Sequence, residues 1–372
     1  MKSRHILSLA CTAAACGSLL GAAPPSSGPL VHVVRPGESI QRAVDAARPG
    51  DTVLLIGGTY RESVRVTTSG LTLRGLGPRT VLEPAVPPAA TPPAKPAAAP
   101  PAGTAAARAA DSCALAGNGI CVEGADGRPV SGTTITGLVL SGFAKNGLWA
   151  SGTDRLTVRG VTAENNGQWG IAQEHSTRGV FVGNVATGNG DAGLFLANTV
   201  KTEGGATDTG GALVARNRLV GNRIGVTVRR LRNLTVERND ITGNCAGVFV
   251  VGDETPPRAG DLTVRANRVV ANNKYCPKTA RLPFLQGVGV VLTGAEDTQV
   301  TGNLITDNVG TSPLSGGVVL LKSFVGVTNE RNRITGNTLR SNAPADLVDT
   351  DAGRDNVFRD NACAASRPTG LC

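Results

Sequence analysis

Asn217-Arg-Leu-Val-Gly-Asn222 returns as Asn239-Asp-Ile-Thr-Gly-Asn244 and again as Asn303-Leu-Ile-Thr-Asp-Asn308. With Asn184/Asn189, Asn267/Asn272 and Asn332/Asn337 there are six pairs of one internal spacing between Gly179 and Asn342. Most are followed by a glycine and an aliphatic run, as in Gly193-Leu-Phe-Leu, Gly225-Val-Thr-Val and Gly247-Val-Phe-Val. This is an internal repeat. Successive first asparagines lie 33, 22, 28, 36 and 29 residues apart. The unit is therefore about 22 residues, and the excess must leave as loops between strands.

Each unit holds short aliphatic strands broken by Asn or Gly, such as Leu234-Thr-Val and Val248-Phe-Val, and none has the length of 3.6-residue periodicity that a helix requires. Strands repeated without crossover helices stack as the coils of a parallel β-helix. In such a strand Val226 and Val228 face inward and Thr227 outward. A leucine-rich repeat has a similar period, but leucine does not dominate here and two asparagines per unit favour the β-helix. The asparagines are expected at the bends, where Asn tolerates the left-handed region and its amide bonds both its own turn and the Asn one coil along.

Residues 1–23 carry Lys2, Arg4 and His5 before an apolar run from Ile6, the pattern of a secretory signal. Ala13-Ala-Ala-Cys16-Gly-Ser resembles a bacterial lipoprotein box, so lipid anchoring to the cell surface through Cys16 is the alternative to release as an extracellular protein. No later apolar segment reaches membrane-spanning length. Losing Lys2 and Arg4 lowers the formal charge from +9 to +7. That surface favours acidic partners, such as polyuronates or phosphate-bearing wall polymers. Aromatics are 3% of the chain, so Val, Leu, Ile and Ala must fill the core. With no second composition along it, residues 29–372 read as one elongated domain.

Six cysteines follow the signal, an even count in an exported chain. Their positions form three local couples, and the expected bridges are Cys113–Cys121, Cys245–Cys276 and Cys363–Cys372. No couple has tight metal-ligand spacing or a nearby His, so no metal and no cofactor are expected.

The first structured stretch is Glu38-Ser-Ile-Gln-Arg-Ala-Val-Asp-Ala-Ala-Arg-Pro-Gly-Asp51. Ile40, Ala43, Val44 and Ala47 repeat at helical spacing, Glu38 or Ser39 is placed to cap, and Pro49-Gly50 stops the helix. Together with the strands around Thr52-Val-Leu-Leu and Leu71-Thr-Leu, this opening resembles that of secreted right-handed parallel β-helix proteins of the pectate-lyase-like superfamily. The resemblance implies an all-β solenoid whose short N-terminal helix caps the first coil and protects its strand edge. It does not imply one chemistry, because lyases, hydrolases, epimerases and non-catalytic members share the fold. Residues 84–111, with Pro-Ala-Val-Pro-Pro and Ala-Lys-Pro-Ala-Ala-Ala-Pro-Pro, cannot pair in a sheet and read as a disordered loop inserted between strands.

Aligning units on the glycine before each strand puts Trp149, Ala172, Phe195, Thr227, Phe249 and Val319 in one outward row. Trp149, Phe195 and Phe249 then recur on alternate coils, roughly 10 Å apart, a spacing that suits sugar rings of an extended glycan unless loops cover the stripe. Four residues after the glycine lies a second outward row containing Ser151, Glu174 and Arg229. Trp169-Gly-Ile-Ala-Gln-Glu-His175 resembles the mannuronan-epimerase motif, with Ala172-Gln173 where that motif has aspartate and proline. A lyase or C5-epimerase needs a base for the C5 proton and a cation at the carboxylate, roles for which Glu174, His175 and Arg229 are the candidates. The facing carboxylate pair of a hydrolase is absent from the pattern, and Asp191, Glu203 and Asp208 are too dispersed for calcium. Three functions follow: a carbohydrate-binding or surface scaffold, a lyase or epimerase acting on an acidic glycan, and a purely structural envelope protein. The expected partner is an acidic polysaccharide or cell-wall polymer, with no nucleic acid, and the chain is expected to be a monomer.

Overall fold

The computed structural model describes residues 28–85 and 113–372, apart from positions 126, 201 and 203. The signal segment, Cys16 and nearly all of the Pro/Ala-rich stretch lie outside the described residues. Three long parallel sheets run through the molecule, of twelve, ten and eleven strands. A coil takes one strand from each. Val180–Val182 leads to Val185–Thr187 and then to Ala192–Ala197, and the next coil repeats this with Thr207–Ala215, Arg218–Val220 and Ile224–Arg229. Every long-sheet ladder pairs a strand with its counterpart one coil on, as in Val185↔Arg218 and Leu194↔Val226. This is a parallel β-helix.

Inward rows fill the bore mainly with Val, Leu and Ile, including Val158, Val214, Val236 and Val264, and Phe181 joins them, all essentially without exposure. Val226 and Val228 lie in this interior as the alternation requires, while Thr227 stands on the other face. The helix Ile40–Ala46 buries Ile40 and Val44 over the first coil. Ser39 is its cap and accepts from Arg42 N. Glu62, from the bend between the strands Gly58–Arg61 and Val64–Val66, adds a carboxylate that accepts from Ile40 N at 2.6 Å, a contact the local sequence did not reveal.

The asparagines form two files of buried amides. In the first, Asn184, Asn217, Asn239, Asn267 and Asn303 each donate through Nδ2 to the Oδ1 of the next, at 2.9–3.0 Å. In the second, Asn189, Asn222, Asn244, Asn272 and Asn308 do the same at 2.8–3.1 Å. The other Nδ2 hydrogen goes to a strand carbonyl of an earlier rung, Phe181 O in the case of Asn217. Each amide is thereby satisfied by its own file, and a rung without an amide would leave buried donors unpaired.

The sequence reading needs two corrections here. Asn303 stacks on Asn337 and Asn308 on Asn342, whereas Asn332 lies one bend earlier, bonded to Thr298 N and Asn356. In that coil the first-sheet edge Arg333–Thr335 is as short as the second-sheet edge Thr338–Arg340, so the same spacing spans either. The asparagines in these files also do not take the left-handed conformation themselves. The preceding residue does: Arg216 (φ 55°), Arg238 (φ 53°), Ala266 (φ 52°) and Gly302 (φ 62°). That residue turns the chain, which leaves the Asn free to aim its amide inward.

All three expected disulfides are present, Cys113–Cys121, Cys245–Cys276 and Cys363–Cys372. The extra residues leave at the bends, residues 198–206 and 252–259 between the third and first sheets, and residues 273–287 and 309–315 between the second and third. No helix among the described residues is long and apolar enough to cross a membrane.

Candidate functional site

The outward row on the third sheet is Trp149↔Ala172↔Phe195↔Thr227↔Phe249, continuing through Val291 to Val319. Trp149, Phe195 and Phe249 do recur on alternate coils, and Val291 fills a rung that the glycine alignment passed over. Their exposure differs from what a sugar-binding stripe needs. Phe195 is 7% and Phe249 1% exposed, because a second apolar cluster lies on this outer face, built with Cys276, Leu285 and Leu314 from the loops. Two further excursions join each other where Ala206 N donates to Pro257 O. Loop trajectories thus roof the stripe from Phe195 onward, and Phe249 cannot meet a ligand beneath that cover.

The face stays open around Trp149, which is only half-buried. Its indole stacks on Trp169 at 5.9 Å, and Trp169 on Phe195 at 4.0 Å. Trp169 thereby turns separated rings into a continuous aromatic floor. Sequence reasoning had placed Trp169 in a motif but not in this stack; the signal was its position just before Gly170, a second outward row. Beside this floor is a cleft of about 460 Å³ lined by Gly124, Ala125, Gly127, Pro129, Ser151, Glu174 and His175.

Glu174 and Arg229 lie two rungs apart on one row, through Glu174↔Ala197↔Arg229. The 198–206 loop enters between them. Glu174 Oε2 accepts from Val200 N at 2.8 Å, and Arg229 Nη1 donates to the carbonyls of Thr199 and Val200 at 3.3 and 3.4 Å. Ser151 Oγ donates to Glu174 Oε1 at 3.4 Å. His175 sits at the following bend (φ 48°) with its side chain exposed and Nε2 4.0 Å from Glu174 Oε2. The structure brings Glu174 and His175 together at the cleft and turns Arg229 to the loop. Arg230 forms a buried ion pair with Asp253.

Among the described residues no lysine or arginine lines the cleft. Of the nearby arginines, Arg65 is held by Glu123 at 2.6 Å and Arg178 by both oxygens of Asp154 at 2.7 Å, whereas Arg128, between the lining residues Gly127 and Pro129, is exposed. The Arg178 guanidinium holds the Asp154 carboxyl below its ordinary value. Behind the floor, burial pushes the Asp191 carboxyl up, against the hydrogen bond from Trp169 Nε1 (3.1 Å) and the charge of Arg223.

Two family models match parts of the chain: "Right handed beta helix region" over residues 110–269, and "Periplasmic copper-binding protein (NosD)" over residues 197–366. Copper favours thiolate, thioether and imidazole donors, and the donors here do not fit it. All six described cysteines are in bridges, the one methionine is Met1, and His32 is bonded to Asp51. Among the described residues no group of three or more His, Cys, Asp or Glu is placed to hold a metal ion. No curated protein matches the sequence. Solved structures do match in fold. The A-module of an Azotobacter vinelandii mannuronan C-5 epimerase is 18% identical with a TM-score of 0.54, covering 88% of this chain and 91% of that one. DFA-IIIase from Arthrobacter chlorophenolicus A6, without its lid and in complex with GF2, is 13% identical with a TM-score of 0.56, covering 91% and 97%. A PL6 family alginate lyase is 15% identical with a TM-score of 0.51, covering 83% of this chain and 38% of its own. With its three stacked parallel sheets and capping helix, the chain carries the right-handed parallel β-helix fold.

Proposed function

We propose that this is an exported glycan-binding β-helix that holds a sugar chain in the cleft beside Trp149. One observation carries the reading: of the aromatic row, only the Trp149 end is left open, and it adjoins the cleft edged by Ser151, Glu174 and His175. A half-buried indole backed by a second indole offers a rigid stacking surface for a sugar ring, and the polar edge offers hydrogen bonds to its hydroxyls. Export is supported by the three disulfides, which persist in oxidising compartments, and by the periplasmic description of one matching family model. That the solved structures similar in fold include proteins named for mannuronan and alginate is consistent with a glycan partner. Release or anchoring through Cys16 leaves this cleft unchanged.

The test is calorimetric titration against a panel of neutral and acidic oligosaccharides. Trp149→Ala is expected to weaken the best ligand about tenfold, the loss of one aromatic stack. Retention of no glycan, or equal affinity in the variant, refutes the proposal.

The second reading, a lyase or epimerase, is favoured by the 4.0 Å approach of Glu174 and His175 at the cleft. Against it, both Glu174 oxygens already accept hydrogen bonds and Arg229 is turned to loop carbonyls. Ultraviolet absorbance of an unsaturated product from pectate or alginate, abolished in Glu174→Gln, establishes catalysis; its absence beside retained binding leaves a binding protein.

A further inference from the structure

No described lysine or arginine lines the cleft, yet the chain is strongly basic, so much of the positive charge faces solvent elsewhere. From Leu262 to Ala295 the sequence contains no Asp or Glu. Arg265 and Arg268 in this stretch are paired with Glu237 and Asp240. Lys274, Lys278 and Arg281 are exposed, and none of them takes part in an ion pair among the described residues. All three lie on or beside one hairpin. Cys276 and Leu285 exchange backbone hydrogen bonds at 2.9 Å, and Thr279 N donates to Leu282 O at 2.8 Å to close the tip.

The hairpin is fixed to the β-helix at several points. The Cys245–Cys276 disulfide ties its base to the third sheet. Arg223, itself buried, donates to Pro277 O at 2.8 Å, and Lys274 Nζ to Gly221 O at 2.6 Å. Leu282 and Leu285 pack into the outer apolar cluster. Above these anchors Tyr275 is 60% exposed, with its ring 5.7 Å from that of Phe284.

We propose that this hairpin is a preformed binding site for a linear anionic polymer whose repeating charges are carboxylates or phosphates, separate from the Trp149 cleft. Three cations within one short loop, none of them ion-paired among the described residues, act together on a polyanion whose charges repeat within a Debye length of about 8 Å. Because disulfide, arginine and leucine contacts hold the loop beforehand, little ordering entropy opposes binding. The Tyr275–Phe284 pair gives the polymer backbone an apolar shoulder and shields the cations on one side.

The experiment measures binding of the whole disulfide-bonded chain to polygalacturonate, inorganic polyphosphate and uncharged dextran at low and high salt. Wild type is expected to bind at least one polyanion, with affinity falling at least tenfold between low and high salt, and to ignore dextran. The polyanion that binds more tightly identifies the charge type. Lys278→Glu with Arg281→Glu is expected to weaken binding tenfold or more at unchanged melting temperature, while Arg354→Glu with Arg359→Glu, an equal charge reversal at exposed arginines outside the hairpin, leaves it intact. No polyanion binding at low salt, equal binding of dextran, or unchanged affinity in the charge-reversal variant overturns the proposal. An equal loss in Arg354→Glu with Arg359→Glu overturns it as well, since net charge alone would then carry the binding.

Discussion

Asn239→Ala tests the physical basis of the stack. Asn239 is 1% exposed in the middle of the first amide file. Its Oδ1 accepts from Asn217 Nδ2 and Asn217 N, both at 2.9 Å. Its Nδ2 donates to Asn267 Oδ1 at 2.9 Å and Val214 O at 3.0 Å. Alanine keeps the backbone donation from residue 239 to Asn267 Oδ1, but orphans two donors on Asn217 and one lone pair of Val214 O. A buried polar group left unpaired costs roughly 1–3 kcal/mol, so the two donors set the scale and the expected loss is about 4 kcal/mol. That is a large share of the roughly 5–15 kcal/mol that holds a typical domain together. Equilibrium urea unfolding followed by far-ultraviolet circular dichroism measures it. Asn361→Ala provides the comparison: Asn361 accepts the same two bonds, from Asn337, at the partly exposed end of the file. Water can reach that rung, so its loss is expected near 1 kcal/mol. The reasoning is refuted if Asn239→Ala costs under about 1 kcal/mol, or no more than Asn361→Ala.

Three further outcomes are expected. Cys245→Ser opens a loop with a sequence separation of 31 residues and should lower stability by about 4 kcal/mol on the chain-entropy account; an equal urea midpoint for oxidised wild type and variant contradicts this. Ala266→Gly should raise stability by about 0.5–1 kcal/mol, because Ala266 is held at φ 52° in the bend position that Gly183, Gly302 and Gly336 fill elsewhere, and relief of the left-handed strain outweighs the added unfolded-state entropy; a lower melting temperature sinks it. The Arg48 and Leu30 amides and His32 hold the Asp51 carboxyl at about 2, below its ordinary 3.8. A depressed carboxyl contributes stability that is complete above pH 4 and lost as pH falls towards 2. Asp51→Asn should flatten the melting temperature across that window, and parallel curves for variant and wild type would rule the linkage out.

The solenoid was legible in the sequence because its cause is local. A bend that must turn the chain and satisfy buried backbone groups recurs with every coil, so Asn217, Asn239 and Asn267 mark it wherever it falls. The same locality explains the misplacement of Asn332: two edges of similar length carry the same spacing, and only the amide contacts distinguish them. The three cysteine couples were readable for a related reason, since each joins residues brought close by one or two coils.

The sequence by itself determined the period, the inward and outward alternation, the bridges and the order of the Trp149–Phe195–Phe249 row. Tertiary structure alone decided which part of that row meets solvent. Exposure of a side chain on the outer sheet face depends on where the 198–206, 252–259 and 273–287 excursions travel, and their paths are set by contacts such as Ala206 with Pro257 and Arg223 with Pro277, far apart in the chain. The same long-range contacts turned Arg229 from Glu174 towards the carbonyls of Thr199 and Val200. A repeat fixes what stacks on what through hydrogen bonds between neighbouring coils; it carries no information about the loops that cover the result.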